Sequence, residues 1–239
     1  MSNFSKMLLS FICFLFVTIF AEVGATANEC VISRCSHHGP AIRFPFWLKD
    51  SQPDHCGYPG FQLSCTEKHQ TMIELPNSVK LLVKKINYKS QEIQVHDPAD
   101  CLPKQLSDLN LSASPFQFKV KHDHSLQDIT LLNCSLPANR GFMRQIPCSS
   151  VPGYQVYVVD SYYTLFHDYD NYDLLSCSKM YNISSVPNDI FEHFYLNWSK
   201  PICRNCEADG KRCRLKSNST EPETECFIIS KKAQGTAVR

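Results

Sequence analysis

Cationic and aromatic side chains are concentrated in the first cysteine-rich stretch of the sequence and just beyond it. Those with the chemistry of a non-covalent binding site are Arg34, Arg43, Trp47, Lys49, Tyr58 and Lys68. An arginine guanidinium can form two parallel hydrogen bonds with one carboxylate, and a lysine ammonium adds a point charge. Tryptophan and tyrosine supply flat faces for stacking. These residue types predict recognition of an acidic, ring-shaped ligand.

The same stretch also has a structural interpretation, because a small domain needs apolar side chains for its core. Phenylalanines predicted to be core are Phe44, Phe46 and Phe61. Trp47 and Tyr58 fit a core as well as they fit a ligand platform. Gly57 and Gly60 are predicted to serve turns that need a positive φ or a close backbone approach. The lysines of residues 80–89 have a solvated strand face as their simplest role.

The first 27 residues have the three parts of a secretory signal peptide. Lys6 gives a positive start, Met7 to Phe20 forms an almost unbroken apolar run, and Ala25-Thr26-Ala27 is a small-residue cleavage site. Residues 1–27 are therefore predicted to be removed. No later stretch is long and apolar enough to predict a membrane span.

Removal of this segment takes away Cys13 and leaves an even number of cysteines. The twelve are Cys30, Cys35, Cys56, Cys65, Cys101, Cys134, Cys148, Cys177, Cys203, Cys206, Cys213 and Cys226. An even count in a secreted chain predicts disulfides, with the pairing left open. A CxxC pair can also bind zinc, but the secretory context favours an EGF-like disulfide knot over residues 203–226. No metal or other cofactor is expected.

Five acceptor tripeptides for N-glycosylation agree with secretion. Their asparagines are Asn110, Asn133, Asn182, Asn197 and Asn218, which are predicted to lie on exposed turns. The net charge of +1 argues against a nucleic-acid partner, since phosphate binding needs a strongly basic face.

The sequence gives weaker support to two other functions, calcium binding and catalysis. Asp168, Asp170 and Asp173 could bind calcium, but this loop lacks the glycine and the distal glutamate of an EF-hand. A tyrosine-rich surface loop that contacts a protein is the favoured interpretation.

The sequence singles out no carboxylate pair for glycoside hydrolysis, no GxSxG element and no free cysteine nucleophile, so catalysis is not expected.

The periodicity favours a mainly β fold built from small disulfide-rich modules, two cysteine-rich domains in tandem. Strands are predicted at 61–65, 71–75, 79–88, 91–97 and 154–160, with Ile86 and Ile93 facing one core across a hairpin turn at 87–90. FQFKV and ITLLNC resemble two strands around a polar turn, the stretch PADCLPKQLSDLNLSASPF is typical of a loop, and residues 186–198 fit either a helix from Asn188 or a strand.

The motifs CxxxxC, IRFPFWL and CGYPGFQLSC follow one another over residues 30–65. In this order they resemble the galacturonan-binding module at the extracellular ends of plant wall-associated receptor kinases and of membrane RING-finger ubiquitin ligases, over residues 30–97. IPCSSVPGYQVYVVD, LNWSKPICRNCEADGKRC and ECF are similar to the cysteine-rich C-terminal domain of wall-associated kinases. Together the two resemblances cover most of the chain that follows the signal peptide.

These resemblances imply a domain organisation. After the signal peptide come a galacturonan-binding-like domain (28–97), a connector (98–133), a wall-associated kinase C-terminal-like domain (134–227) and a disordered tail (228–239). A boundary near 98 and one near 134 are both compatible with the sequence. In the relatives a transmembrane helix and a kinase or RING finger follow, whereas here twelve residues follow Phe227. We therefore expect a truncated member or a secreted, extracellular ectodomain of the cell wall.

The implied ligand is homogalacturonan, an acidic polysaccharide of the plant cell wall. Each galacturonate ring has a carboxylate and an apolar face, which matches the cations and rings above. Five histidines fall in the module, at positions 37, 38, 55, 69 and 96. Because the unperturbed pKa of histidine is about 6.5, exposed histidines become cationic in a mildly acidic wall, and binding is expected to weaken as pH rises. The alternatives are an ectodomain that recognises a peptide or protein co-receptor and a fragment of a membrane ubiquitin ligase.

Overall fold

The fold is described from a computed structural model. It describes residues 30–120, 125–135, 143–162, 176–216 and 223–228. Several predictions fall outside these residues: the signal peptide, the acidic loop with Asp168, Asp170 and Asp173, Asn218, and residues 229–239 of the tail.

Strands dominate the described part of the chain, and the mainly β, disulfide-rich fold class is confirmed. They are β1 (Trp47–Leu48), β2 (Gln62–Cys65), β3 (Thr71–Leu75), β4 (Val79–Asn87), β5 (Glu92–His96), β6 (Phe116–Phe118), β7 (Leu126–Cys134), β8 (Arg144–Gln145), β9 (Gln155–Asp160), β10 (Cys177–Pro187), β11 (Tyr195–Trp198), β12 (Arg212–Leu215) and β13 (Thr224–Phe227). The α-helices of the described residues are α1 (Leu102–Asp108) and α2 (Arg204–Ala208). Short 3-10 turns span Asp54–Cys56, Pro76–Ser78 and Pro147–Ser149.

One sheet contains seven strands in the order β1-β2-β3-β4-β5-β11-β6. Alternation along these strands gives the sheet a buried and a solvent-facing side, as in Ile73 and Ile93, which are fully buried, against Glu74 and His96, which are exposed. The predicted hairpin between β4 and β5 is confirmed, with Ile86 paired opposite Ile93. We call the solvent-facing side of this sheet the outer face.

A second sheet has the order β10-β7-β9-β8 and shares one hydrophobic core with the first. The predicted strand over 154–160 is confirmed as β9. Aromatic rings from distant parts of the chain lie at the centre of the shared core, with ring centroids between 4.9 and 6.4 Å apart. They belong to Phe46, Phe61, Phe116 and Trp198. The prediction of Phe46 and Phe61 as core is confirmed, and Phe44 is buried against Cys203 and Cys206.

Two local predictions are wrong. FQFKV and ITLLNC do contain strands, but β6 pairs with β11 and β7 pairs with β9 and β10, so the two strands belong to different sheets. The stretch predicted as a loop contains α1, which begins beside Pro103, a residue that the first turn of a helix tolerates. Of the two alternatives for residues 186–198, the strand is the one that forms, as β11.

Strands from both halves of the chain meet in the first sheet. β11 lies between β5 and β6, and the shared core contains residues from Ile42 to Trp198. The predicted N-terminal domain, connector and C-terminal domain thus contribute to one sheet and one core. Boundaries at 97 and 134 stay a prediction about sequence modules.

Six disulfides join all twelve cysteines that follow the predicted signal peptide. The pairs are Cys30–Cys56, Cys35–Cys65, Cys101–Cys148, Cys134–Cys177, Cys203–Cys213 and Cys206–Cys226. The last two hold α2 and the β12–β13 hairpin together, and we call residues 203–226 the knot, of which 203–216 and 223–226 are described. Among the described residues, no helix has the length and hydrophobicity that a membrane crossing requires.

Candidate functional site

Three of the predicted binding residues lie in segments attached to β1 and β2, at one edge of the first sheet. Lys49 continues the β1–β2 pairing, with its N–H donating to Leu63 at 2.9 Å, and Lys68 lies in the turn after Cys65. Arg34 is next to Cys35, which is disulfide-bonded to Cys65. We call Arg34, Lys49 and Lys68 the cationic edge.

All three side chains of the cationic edge are exposed. None of them forms an ion pair with a residue in the described ranges, although the Arg34 guanidinium donates a hydrogen bond to the carbonyl of Gly39. No carboxylate in the described ranges therefore competes with an anion from solution for these three charges. The segment 30–97 as a whole has eight Lys and Arg against six Asp and Glu, which leaves it mildly positive before any histidine is protonated.

Arg43 lies in a different environment. The sequence predicted that its guanidinium would be free to bind a ligand carboxylate, and the contacts that it makes within the protein do not fit that role. Its two terminal nitrogens donate to the carboxylate of Glu207 at 2.6 and 2.7 Å. The two side chains are only 17% and 10% exposed. The guanidinium also lies 3.7 Å from the ring centroid of Tyr88. Arg43 thus fastens the knot to the first sheet.

The same cluster perturbs two neighbouring titratable groups. Burial raises the pKa of Tyr88 well above its usual range, against the opposing influence of the Arg43 backbone hydrogen bond. The Tyr88 hydroxyl donates to the carbonyl of Ala41 at 2.6 Å and accepts from the Arg43 N–H at 3.1 Å. Burial, followed by the charge of Arg43, lowers the pKa of Arg212, while Glu207 opposes that shift. Glu207 is thus the carboxylate that offsets two guanidinium groups.

For Trp47 and Tyr58 the sequence fitted both a core position and a platform on which a ligand ring stacks. Both side chains are half-buried. The Tyr58 ring packs edge-on against Phe44 and Phe61, on the side that contacts the knot. Trp47 lies over Gly57, where an added Cβ would come within 1.9 Å of the indole Cδ1. Gly57 and Gly60 were each predicted to serve either a close approach or a positive φ, and the structure has the close approach at Gly57 and the positive φ, 84°, at Gly60.

A shallow groove on the outer face was not predicted as a site. Its volume is about 360 Å³, and it is lined by Lys85, Asn87, Glu92, Gln94, Lys119, Asp189, His193 and Tyr195. We call it the outer-face groove. A register shift in β4 between Val83 and Lys85 places Lys85 on the solvent side, whereas strict alternation from the buried Leu81 and Val83 would have placed it toward the core. The partners of Lys85 come from β5 and β11, and no local pattern links those strands.

The described sequon asparagines have unequal surroundings. Asn110 is exposed after α1, and Asn182 is exposed on β10, the outer strand of its sheet. Asn133 lies in the central strand β7, and its side-chain oxygen is buried without a hydrogen-bond partner in the described structure. Asn197 is half-buried on the outer face, between Glu92 and Gln117 on the two neighbouring strands. The prediction of exposed turns therefore fits Asn110 best.

The described cysteines offer no thiolate site for a metal. Cys203, Cys206 and Cys213, which could have been zinc ligands, are all in disulfides. Cys30, His55 and Cys56 have possible ligand atoms within 4.8 Å of one another, but the two sulfurs are bonded to each other. Cysteine binds a metal as the thiolate, which a disulfide does not provide.

Residues 30–97 match the protein-family model described as wall-associated receptor kinase galacturonan-binding. This matched segment contains the whole cationic edge, together with Trp47, Arg43 and Tyr58. The resemblance carried by IRFPFWL and CGYPGFQLSC is thereby confirmed.

Similarity to known proteins extends beyond this segment. A RING-H2 finger protein of Arabidopsis thaliana is 32% identical over 252 residues, covering 98% of this chain and 63% of that protein. RING-H2 finger protein ATL22 of the same plant is 31% identical over 239 residues, covering 93% of this chain and 60% of ATL22. Rust resistance kinase Lr10 of Triticum aestivum is 25% identical over 228 residues, covering 79% of this chain and 36% of the kinase.

The chain thus spans about 60% of the length of the RING-H2 relatives. No solved structure matches it.

Proposed function

We propose that this chain is an extracellular, non-catalytic module that binds galacturonan. One observation carries the proposal: the segment that matches the galacturonan-binding family also presents three exposed cations without ion-pair partners among the described residues. The Cys35–Cys65 disulfide constrains the backbone beside Arg34 and Lys68, and strand pairing constrains the backbone at Lys49. This supports binding, because cross-linked segments lose less conformational entropy when a ligand orders them.

The mechanism is charge pairing with successive carboxylates of the polymer. Exposed cations remain hydrated until the ligand arrives, so each contact contributes a modest free energy that salt weakens. Affinity then comes from several contacts made along one chain, since linked contacts raise the effective concentration of each other. Histidine is the residue type whose charge ordinarily changes between pH 5 and 8, and His37, His38 and His69 are exposed in the segments that carry Arg34 and Lys68.

Binding to polygalacturonate and to its methyl ester, measured from pH 5 to 8, tests the proposal. We expect retention of the acid form only, with affinity falling as pH and salt concentration rise. Substituting Lys49 and Lys68 by methionine should weaken binding, whereas Lys104→Met, an exposed lysine on α1, should not. Equal retention of the ester would refute the electrostatic mechanism.

A second candidate is favoured by the similarity to RING-H2 finger proteins over more than nine-tenths of this chain. In this proposal the chain is the recognition ectodomain of a membrane ubiquitin ligase or receptor-like kinase, in which a peptide or protein co-receptor is a further partner. Sequencing the transcript past codon 239 tests the first part. Cross-linking of intact plant tissue followed by affinity purification tests for the co-receptor.

A further inference from the structure

We propose that the outer-face groove is a second sugar subsite, in which one uronate ring stacks on Tyr195 and its carboxylate pairs with Lys85. This inference rests on the proposed function, because the ligand is the same acidic polysaccharide. The groove lies at β4, β5 and β11, on the other side of the sheet's centre from the cationic edge at β1 and β2. One extended polymer lying across the strands would contact both.

The strand register places the key side chains in one row. Lys85 pairs with Gln94, and Gln94 pairs with Tyr195, so the three lie side by side on adjacent strands. Neighbouring strands are about 4.8 Å apart. The row continues to Lys119, whose N–H donates to the carbonyl of Tyr195 at 3.0 Å. A ring held over Tyr195 is therefore within reach of donors on both sides.

The Tyr195 ring has His193 and Lys119 as neighbours in the groove. His193 is nearly parallel to it, with an interplanar angle of 18° and ring centroids 6.4 Å apart. The Lys119 ammonium lies 5.9 Å from the ring centroid and 2.6 Å from the Glu92 carboxylate. These neighbours limit the rotamers open to the Tyr195 ring, which reduces the entropy that it loses when a ligand binds.

Lys85 is exposed and, unlike Lys119, forms no ion pair within the described ranges. Lys119 already neutralises Glu92, so Lys85 is the cation of the groove that is left for a ligand carboxylate. Gln94, between Lys85 and Tyr195, adds both a donor and an acceptor for hydroxyl groups.

The mixture of charges identifies the ligand class. Two ammonium groups, two carboxylates and two amides line the groove, unlike the mostly apolar walls of pockets for hydrophobic ligands. A polyphosphate has no hydroxyl donors to offer the carboxylates of Glu92 and Asp189. A sugar ring with one carboxylate and several hydroxyls uses the donors and the acceptors together.

A glycan attached to Asn197 is another sugar that could occupy the groove. Asn197 lies two residues after Tyr195 on the same face of β11, next to Glu92, so a glycan attached to it would start at the rim of the groove. The test therefore includes a background without this glycan.

The experiment measures binding of short oligogalacturonides to the full secreted chain by calorimetry. The variants are Tyr195→Ala, Lys85→Met and the control Lys80→Met, which removes another exposed lysine of β4 that lies outside the groove. We expect about a tenfold loss of affinity for each groove variant, as for one lost charge-assisted or stacking contact. The control should change affinity by less than about twofold. Tyr195→Phe should retain binding, because the ring is kept.

The outcomes separate this inference from the proposed function. If the wild-type chain binds but Tyr195→Ala and Lys85→Met bind equally well, the subsite is refuted and galacturonan binding at the cationic edge stands. No binding by the wild-type chain overturns both. If the loss in Tyr195→Ala disappears in an Asn197→Gln background, the groove holds the chain's own glycan and the polysaccharide subsite is refuted. Matched unfolding midpoints exclude misfolding as the cause.

Discussion

Removal of the Glu207 carboxylate should destabilise the protein far more than removal of an exposed one. Glu207 accepts two short hydrogen bonds from Arg43, and the side chains are only 17% and 10% exposed. Glu207→Ala leaves the Arg43 guanidinium largely desolvated, close to Arg212 and without its counter-charge. Breaking a buried pair in this way costs about 3–5 kcal/mol, and the residual exposure of Arg43 favours the lower value, about 3 kcal/mol.

The matched control is Glu223→Ala in the Lys216–Glu223 pair. That pair is 3.1 Å long, but its side chains are 54% and 58% exposed, so water replaces the lost partner. Its loss should cost about 0–1 kcal/mol. Urea unfolding of both variants without reductant measures the difference, with the fluorescence of the buried Trp198 as the signal.

A third variant isolates the charge from the packing. Arg43→Met combined with Glu207→Leu removes both charges and keeps apolar volume, which for buried pairs is often neutral or stabilising. The double variant should therefore recover most of the loss seen in Glu207→Ala. If Glu207→Ala costs no more than Glu223→Ala, or if the double variant is as unstable as the single one, the pair does not hold the knot to the sheet.

Three further predictions concern stability. Replacing Cys101 and Cys148 by serine opens a loop of 47 residues and should cost about 4 kcal/mol in unfolding free energy, and a loss below about 1 kcal/mol would contradict the chain-entropy estimate. Gly57→Ala should cost about 1–3 kcal/mol in urea unfolding because its Cβ clashes with Trp47, and a neutral result would show that the indole moves freely. Because burial raises the pKa of Tyr88, the folded state keeps its proton, so stability is full below the ordinary pKa of about 10 and falls as pH rises above it. Tyr88→Phe should flatten this decline, and an unchanged pH profile would refute the assignment.

The elements that sequence predicted well are those whose pattern is local. The β4–β5 hairpin follows from apolar residues in both strands and a polar turn between them, and Ile86 and Ile93, predicted to face one core, are paired across it. The partner of β6 was not predictable in this way. Pairing with β11 depends on Leu196 and Trp198 being buried beside Phe118 and Phe116, about 80 residues earlier in the chain, and no short-range pattern encodes that contact.

The site shows the same division. Exposure of Arg34, Lys49 and Lys68 agrees with their residue types, which are rarely buried. Arg43 has the same chemistry, but its partner Glu207 is 164 residues away. The outer-face groove was missed because its residues come from β4, β5 and β11, and lysine on a strand is by default a solvated residue.

The contrast between Arg43 and the cationic edge shows why a count of cations overstates a binding site. An anion gains from a cation only if the cation has no better partner and the pair need not lose all its hydration. Arg43 already has a bidentate carboxylate, so a ligand would have to break two hydrogen bonds to use it. Lys49, Lys68 and Lys85 have no such competitor among the described residues. Galacturonan binding should therefore respond to substitutions of these lysines, and Arg43 should affect it only through the stability of the knot.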